Sequence, residues 1–280
     1  MTLSDRFHEL LSESETGPSR LKELVRVVRN APDSPEREGL LALMYHEGIG
    51  VEADLDRSFA HAEKAAAGRD GLGWFMLGYM CDNIETPDQA EGGPRQKYDH
   101  YDAERFYELC AGTDSRWAPQ AHLWLGDYYM DFARGGDPEV GAEHYEAVAD
   151  SVPEAAEALS DYYWGIYAAG TLEEEEARKL YKYTLEAVQE NPHDHSYRMG
   201  CLYAEGTGLP APEFRLARKY WEDAYEFGEA EAADAIAELY AARLAGLGSE
   251  ASEDERARCR REIASWRKLA ARTRKRQEGQ

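Results

Sequence analysis

Apolar residues recur three and four positions apart along nearly the whole chain, the spacing of one face of an α-helix. One pattern repeats within that periodicity: a Leu or equivalent, then Gly or another small residue, then Tyr three positions on. It stands at Leu41-Ala42 with Tyr45, Leu77-Gly78 with Cys81, Leu125-Gly126 with Tyr129, Leu159-Ser160 with Tyr163, Met199-Gly200 with Tyr203, and Ile236-Ala237 with Tyr240. The steps between the leading residues are 36, 48, 34, 40 and 37. Spacings of about 34–40 residues mark a solenoid of helix pairs. A second apolar series follows each copy, carrying Phe59, Phe106, Tyr145, Leu180, Tyr220 and Trp266 in turn. The small residue after the Leu lets that second helix approach closely, and the Tyr fills the space between repeats.

No alternating apolar run is long enough for a sheet. The pattern therefore predicts an all-α, right-handed α-solenoid of about six antiparallel helix-pair repeats. Residues 34–250 hold the repeats. Residues 1–33 read as two short helices, Ser4–Leu11 and Pro18–Val28, that cap the first repeat, and residues 251–280 read as a C-terminal basic capping helix and tail. The segment 82–100, rich in Pro, Gly, Asp and Gln, is an insertion in the second repeat. It is expected to be the most mobile internal loop, or a loop that orders on a partner. Gly48 and Gly206 stand where first helices end, and Ser34-Pro35 and Val152-Pro153 where helices begin.

The sequence Leu-Gly-x-x-Tyr, then Gly-x-Gly-Val, then Asp-x-x-(Lys/Arg)-(Ala/Ser) and Lys-Ala-Ala resembles the Sel-one-like repeat, a relative of the tetratricopeptide repeat. The match is strongest at Leu41–Ala66 and Met199–Gly228 and extends from about Glu36 to Ala271. The resemblance implies an α-solenoid that binds other proteins as an adaptor, scaffold or inhibitor, including bacterial immunity proteins that neutralise secreted toxins. Bacterial members often staple each repeat with a disulfide. The four scattered cysteines here, Cys81, Cys110, Cys201 and Cys259, do not suffice for six repeats.

Composition narrows the partner. The 280 residues include 32 Lys and Arg against 55 Asp and Glu, a formal charge of −23, which disfavours nucleic acid as a ligand. The charge is uneven. From Arg256 onward ten basic and two acidic residues make +8, so the preceding body is −23 − 8 = −31. The absence of C-x-x-C spacing, of a basic-then-apolar start and of a long apolar run points to a reducing, cytoplasmic setting and no membrane partner.

No nucleophile elbow, phosphate loop or His-Glu-x-x-His metal motif is present, so the chain reads as non-enzymatic, with no cofactor and no metal. His193-Asp194-His195 and Asp99-His100-Tyr101-Asp102 read as helix-start chemistry, and the cysteines as small buried fillers. The residues two and five positions either side of each motif Leu lie opposite the core and are expected to face a concave groove. This places Phe75, Tyr79, Asp82, Asp127, Met130, Glu157, Asp161, Trp164, Tyr197 and Glu238 as the partner-binding set. Its floor runs from apolar in the early repeats to acidic and aromatic in the later ones, which suits a protein partner with a basic surface. Two other readings stand beside it. One is a metal-assisted enzyme using the acidic groove, with His46 and Asp82 on adjacent repeats. The other is a self-assembling scaffold in which the basic tail of one chain docks in the groove of another.

Overall fold

The computed structural model describes residues 2–12, 18–83, 98–99, 101–131 and 135–278. Among these are 14 helices and no strand. They fall into two compact units, Met1–Ser151 and Val152–Gln280.

The first unit contains α1 (Leu3–Ser12), α2 (Pro18–Asn30), α3 (Pro35–Glu47), α4 (Leu55–Ala67), α5 (Gly71–Asp82), α6 (Asp102–Ala111), α7 (Ala118–Met130) and α8 (Pro138–Glu146). The pairs are α3 with α4, α5 with α6 and α7 with α8, and α5 also packs on α3. Their starts are set by local chemistry. The Ser34 hydroxyl accepts the Arg37 amide at 3.1 Å with Pro35 behind it, and Asp54 and Asp70 cap α4 and α5 in the same way. Phe7, Leu10, Leu24 and Val28 of α1 and α2 are buried in one core with Leu40, Met44, Phe59, Leu77, Tyr107 and Leu125. The two N-terminal helices thus cover the apolar flank of the first repeat, which would otherwise meet water.

The second unit contains α9 (Pro153–Ala169), α10 (Glu174–Glu190), α11 (Pro192–Glu205), α12 (Phe214–Glu226), α13 (Ala230–Gly246) and α14 (Glu253–Gln277). Here the pairs are α9 with α10, α11 with α12 and α13 with α14. Gly206 ends α11 at φ 78°, the left-handed conformation a side chain resists, as Gly48 ends α3 at φ 69°. α14 is amphipathic in an unequal way: Cys259 and Ala270 are buried and Ile263, Trp266 and Leu269 half-buried on one side, while the other side is basic and exposed.

The motif residues do what their spacing implies. Leu41, Leu77, Leu125, Leu159, Met199 and Ile236 are all buried. The small residue is needed for ring packing: a Cβ on Gly126 would lie 2.3 Å from the Tyr145 ring, and one on Gly200 would lie 2.3 Å from the ring of Trp221. In two pairs the ring that fills this space is one residue past the expected one, Tyr107 rather than Phe106 opposite Gly78 and Trp221 rather than Tyr220 opposite Gly200. Tyr163 is buried and stacks on Tyr183 of its own pair at 6.3 Å.

Most of the 82–100 insertion, residues 84–97 and 100, lies outside the described residues, so the expectation of mobility is not addressed by them. The insertion's C-terminal end is anchored. Tyr98 stacks on Phe59 at 5.7 Å, meets Phe106 edge-on at 5.2 Å, and donates to Glu63 at 3.1 Å.

Candidate functional site

In the first unit the expected partner-binding residues sit on α5 and α7. Tyr79 is 39% exposed and meets the His46 ring edge-on at 5.1 Å. Asp127 is exposed and accepts the Tyr145 hydroxyl at 2.5 Å, so its carboxylate is held in place by the second helix of its own pair. Burial and this carboxylate together push the Tyr145 phenol well up. Met130 is half-buried. Two residues of the set do structural work as well. Phe75 is wedged between Tyr107 at 5.5 Å and Trp117 at 5.0 Å, and Asp82 accepts the Trp124 indole at 3.0 Å. Leu72, which the same helical reading turned outward, is 5% exposed and belongs to the core. His46 and Asp82, paired in the metal-enzyme reading, are occupied elsewhere: His46 bonds Glu47 at 2.7 Å.

In the second unit α9 and α11 bring four side chains together. Trp164 stacks on Tyr167, one turn on, at 4.7 Å. The Arg198 guanidinium lies 5.6 Å from the Trp164 ring centre and pairs with Asp161. Tyr167 also donates to Glu205, and burial is the first cause that pushes its phenol up. Tyr197 lies half-buried next on α11, bonded to Cys201, its phenol likewise pushed up by burial. Glu157 is partly covered, with Asn191 donating at 3.1 Å and the His195 ring 3.5 Å away. Glu238 on α13 is exposed.

The acidic floor is thus less bare than the sequence suggests. Arg198 answers Asp161, and Arg274 of α14 pairs with both Asp234 and Glu231. Sequence reasoning missed Arg198, Tyr167 and Arg274. Tyr167 was legible one turn beyond Trp164. The two arginines were not, because each reaches its partner from a different helix.

One constellation bears on chemistry. Ser160 lies 3.4 Å from His195 Nδ1, whose Nε2 faces Glu157, and 2.9 Å from the Thr184 hydroxyl. Hydroxyl, imidazole and carboxylate in that order are the parts of a nucleophile relay. Ser160, Thr184 and His195 are each 1% exposed or less, however, so no substrate carbonyl reaches the hydroxyl; the cluster satisfies polar groups inside the core. His193 points elsewhere, against Phe227 at 5.5 Å. Burial pushes the Cys81 and Cys110 thiols up to about 12 and Cys201 to about 11, far from thiolate chemistry at neutral pH. Among the described residues no group of three or more His, Cys, Asp or Glu is placed to hold a metal ion, and no helix is long and apolar enough to cross a membrane.

Compared with solved structures, the chain is similar to a Sel1 repeat protein from Oxalobacter formigenes, with a TM-score of 0.52 and 16% identity over 96% of this chain and 97% of that one. It also aligns with a protective antigen of uropathogenic Escherichia coli that displays an SLR fold, at TM-score 0.48 and 18% identity over 91% of this chain and 54% of the antigen, so it spans about half the antigen's length. An immunity protein from Pseudomonas aeruginosa aligns at TM-score 0.39 and 16% identity over 80% of this chain and 81% of that one. No protein-family profile and no curated protein matches the chain.

Proposed function

We propose, on the premise that this chain has the Sel1-like repeat fold, that it is a non-enzymatic protein-binding module acting by occluding or bridging its partner. The observation that supports this most is the Trp164–Tyr167–Arg198 stack with Asp161 at its side. Tryptophan, tyrosine and arginine are the residues that carry most binding energy at protein interfaces, and here the three, each half-buried, are already held against one another by α9 and α11. Tyr197, Glu157 and Glu238 extend that face in the second unit. Phe75, Tyr79, Asp82, Asp127 and Met130 supply the corresponding residues of the first. Exposed carboxylates around aromatic anchors suit a partner with a basic surface.

Within this reading, an immunity protein that covers a toxin acting in the cytoplasm and a regulatory adaptor use the same face. They differ in what co-purifies: a single toxin for the first, two or more proteins for the second. The test begins with capture of the partner from the native cell and its identification by mass spectrometry. Trp164→Ala should then weaken the purified complex by about 2 kcal/mol, roughly thirtyfold, with helicity unchanged. An unaltered affinity in that variant would move the site off the α9–α11 face.

A further inference from the structure

We propose that the cavity among α12, α13 and α14 binds an acidic peptide segment of a second protein, one that carries an aromatic or aliphatic side chain among its carboxylates. The cavity has a volume of about 600 Å³, within the range of ligand sites. Arg215 and Arg218 of α12, Arg243 of α13 and Arg258 of α14 line it, and among the described residues no Asp or Glu does, although Glu222 is bonded to Arg218. In a chain with 55 acidic and 32 basic residues, four guanidiniums from three helices converge on one hollow. Arg218 already has Glu222 as its partner, and an anion seated in the hollow would find the other three as charge-assisted donors.

The four are not equivalent. Arg218 is fixed, bonded to Glu222 at 2.8 Å and to the Tyr240 hydroxyl, with its guanidinium 5.5 Å from the Tyr240 ring centre. Arg215, Arg243 and Arg258 are exposed and make no ion pair among the described residues. The first helical residues of α12, Phe214 and Arg215, stand at the cavity, and Glu213 places no side-chain cap on that helix, so first-turn amides add to the positive end.

The floor decides the ligand class. Leu239, Ala242, Tyr240 and Phe214 make it apolar, and Phe214 is 58% exposed. A bare phosphate would leave that surface wet, whereas a peptide with an apolar side chain between carboxylates covers it while its acids meet the rim. A polynucleotide carries its charge on past the cavity and over the acidic body, whereas a short acidic segment can end at the arginine rim, and a second copy of this chain brings a whole like charge of −23. No residue of α9 or α11 lines the cavity, and its charge is opposite to that of the carboxylates beside Trp164, which would let one chain hold a basic and an acidic partner together.

The test uses the full-length protein and a fluorescein-labelled peptide of about twelve residues, acidic with a central Phe-Leu pair, read by anisotropy near 0.1 M salt. Saturable binding is expected. Arg215→Ala combined with Arg243→Ala should weaken it by about tenfold or more, as should Phe214→Ala. These side chains are exposed, so circular dichroism should be unchanged, and Trp164→Ala should bind the peptide like the parent. Absence of saturation, or equal binding by the arginine variants, overturns the proposal. So does equal binding of a polyglutamate of the same charge, complete displacement of the peptide by a nucleoside triphosphate, or self-association of the free chain that the arginine variants abolish.

Discussion

Gly126 and Gly165 are both helical glycines with opposite surroundings. A methyl on Gly126 would meet the ring of Tyr145 at 2.3 Å, and that ring is 3% exposed and tied through its hydroxyl to Asp127. Gly126→Ala should therefore cost about 2 kcal/mol, because neither the ring nor the helix can retreat without losing contacts. A methyl on Gly165, inside α9, would meet nothing within 4 Å. Gly165→Ala should stabilise by about 0.5–1 kcal/mol, through helix propensity alone. Urea denaturation measures both, and shifts of the same sign would contradict this account. The requirement for a small residue was readable from the repeating Leu-small-Tyr pattern. Which ring fills the space was not: Phe106 and Tyr107 are both buried on α6, and helix rotation, set by the packing of the whole pair, selects Tyr107 as the one opposite Gly78.

Pairs of helices also meet through titratable groups. His122 of α7 and His144 of α8 place their Nδ1 atoms 3.0 Å apart, which requires one ring to donate and the other to accept. His122 is also bonded to the Ala111 carbonyl, while Tyr129 stacks on His144 at 5.7 Å and itself donates to Glu104; Glu143 lies near His144. Burial lowers both imidazoles below their ordinary value of 6.5, and His122 lowers His144 further. A lowered folded value means that the unfolded chain takes up protons first. Their contribution to stability is thus whole above 6.5 and is lost as pH falls from there toward the folded values. His144→Phe keeps the stack on Tyr129 and removes one titrating ring, so its urea midpoint should drop less than that of the parent between about pH 7.5 and pH 5. An equal drop would mean that the pair does not carry the effect. The elements that meet here were legible as periodic segments. Contacts such as this pair, or Tyr98 against Phe59, were not, because periodicity gives a helix its buried face and not the register against its neighbour.

Charge is the property that belongs to the whole molecule. Its imbalance between body and tail was plain in the sequence, and so was the amphipathic stripe of α14. Where opposite charges meet was not. The arginine-lined cavity gathers residues from Phe214 to Arg258 on three helices, and Arg274 reaches Glu231 and Asp234 some forty positions away. These arrangements come from folding α14 against α13, and no local pattern encodes them.

That placement alters what the acidic set is expected to do. Asp161, Asp234 and Glu231 carry an internal cation, whereas Asp127 and Glu238 are exposed with no cation on them among the described residues. Long-range attraction of a basic partner should therefore draw on Asp127 and Glu238. Reversing both to Lys changes the formal charge from −23 to −23 + 4 = −19. Attraction of this kind raises the frequency of encounter more than the lifetime of the complex, so the association rate should fall several-fold at low salt while dissociation changes little. The difference between variant and parent should shrink as the Debye length contracts from about 10 Å at 0.1 M to about 3 Å at 1 M salt. Arg274→Ala uncovers Glu231 and Asp234 and should move the association rate the other way. Stopped-flow mixing with the identified partner over a salt series measures all three proteins. A rate untouched by the double reversal at low salt would mean that the partner is not drawn by these carboxylates. A salt-independent loss accompanied by faster dissociation in the Glu238→Lys single variant, which leaves the Asp127–Tyr145 bond intact, would place Glu238 in direct contact with it.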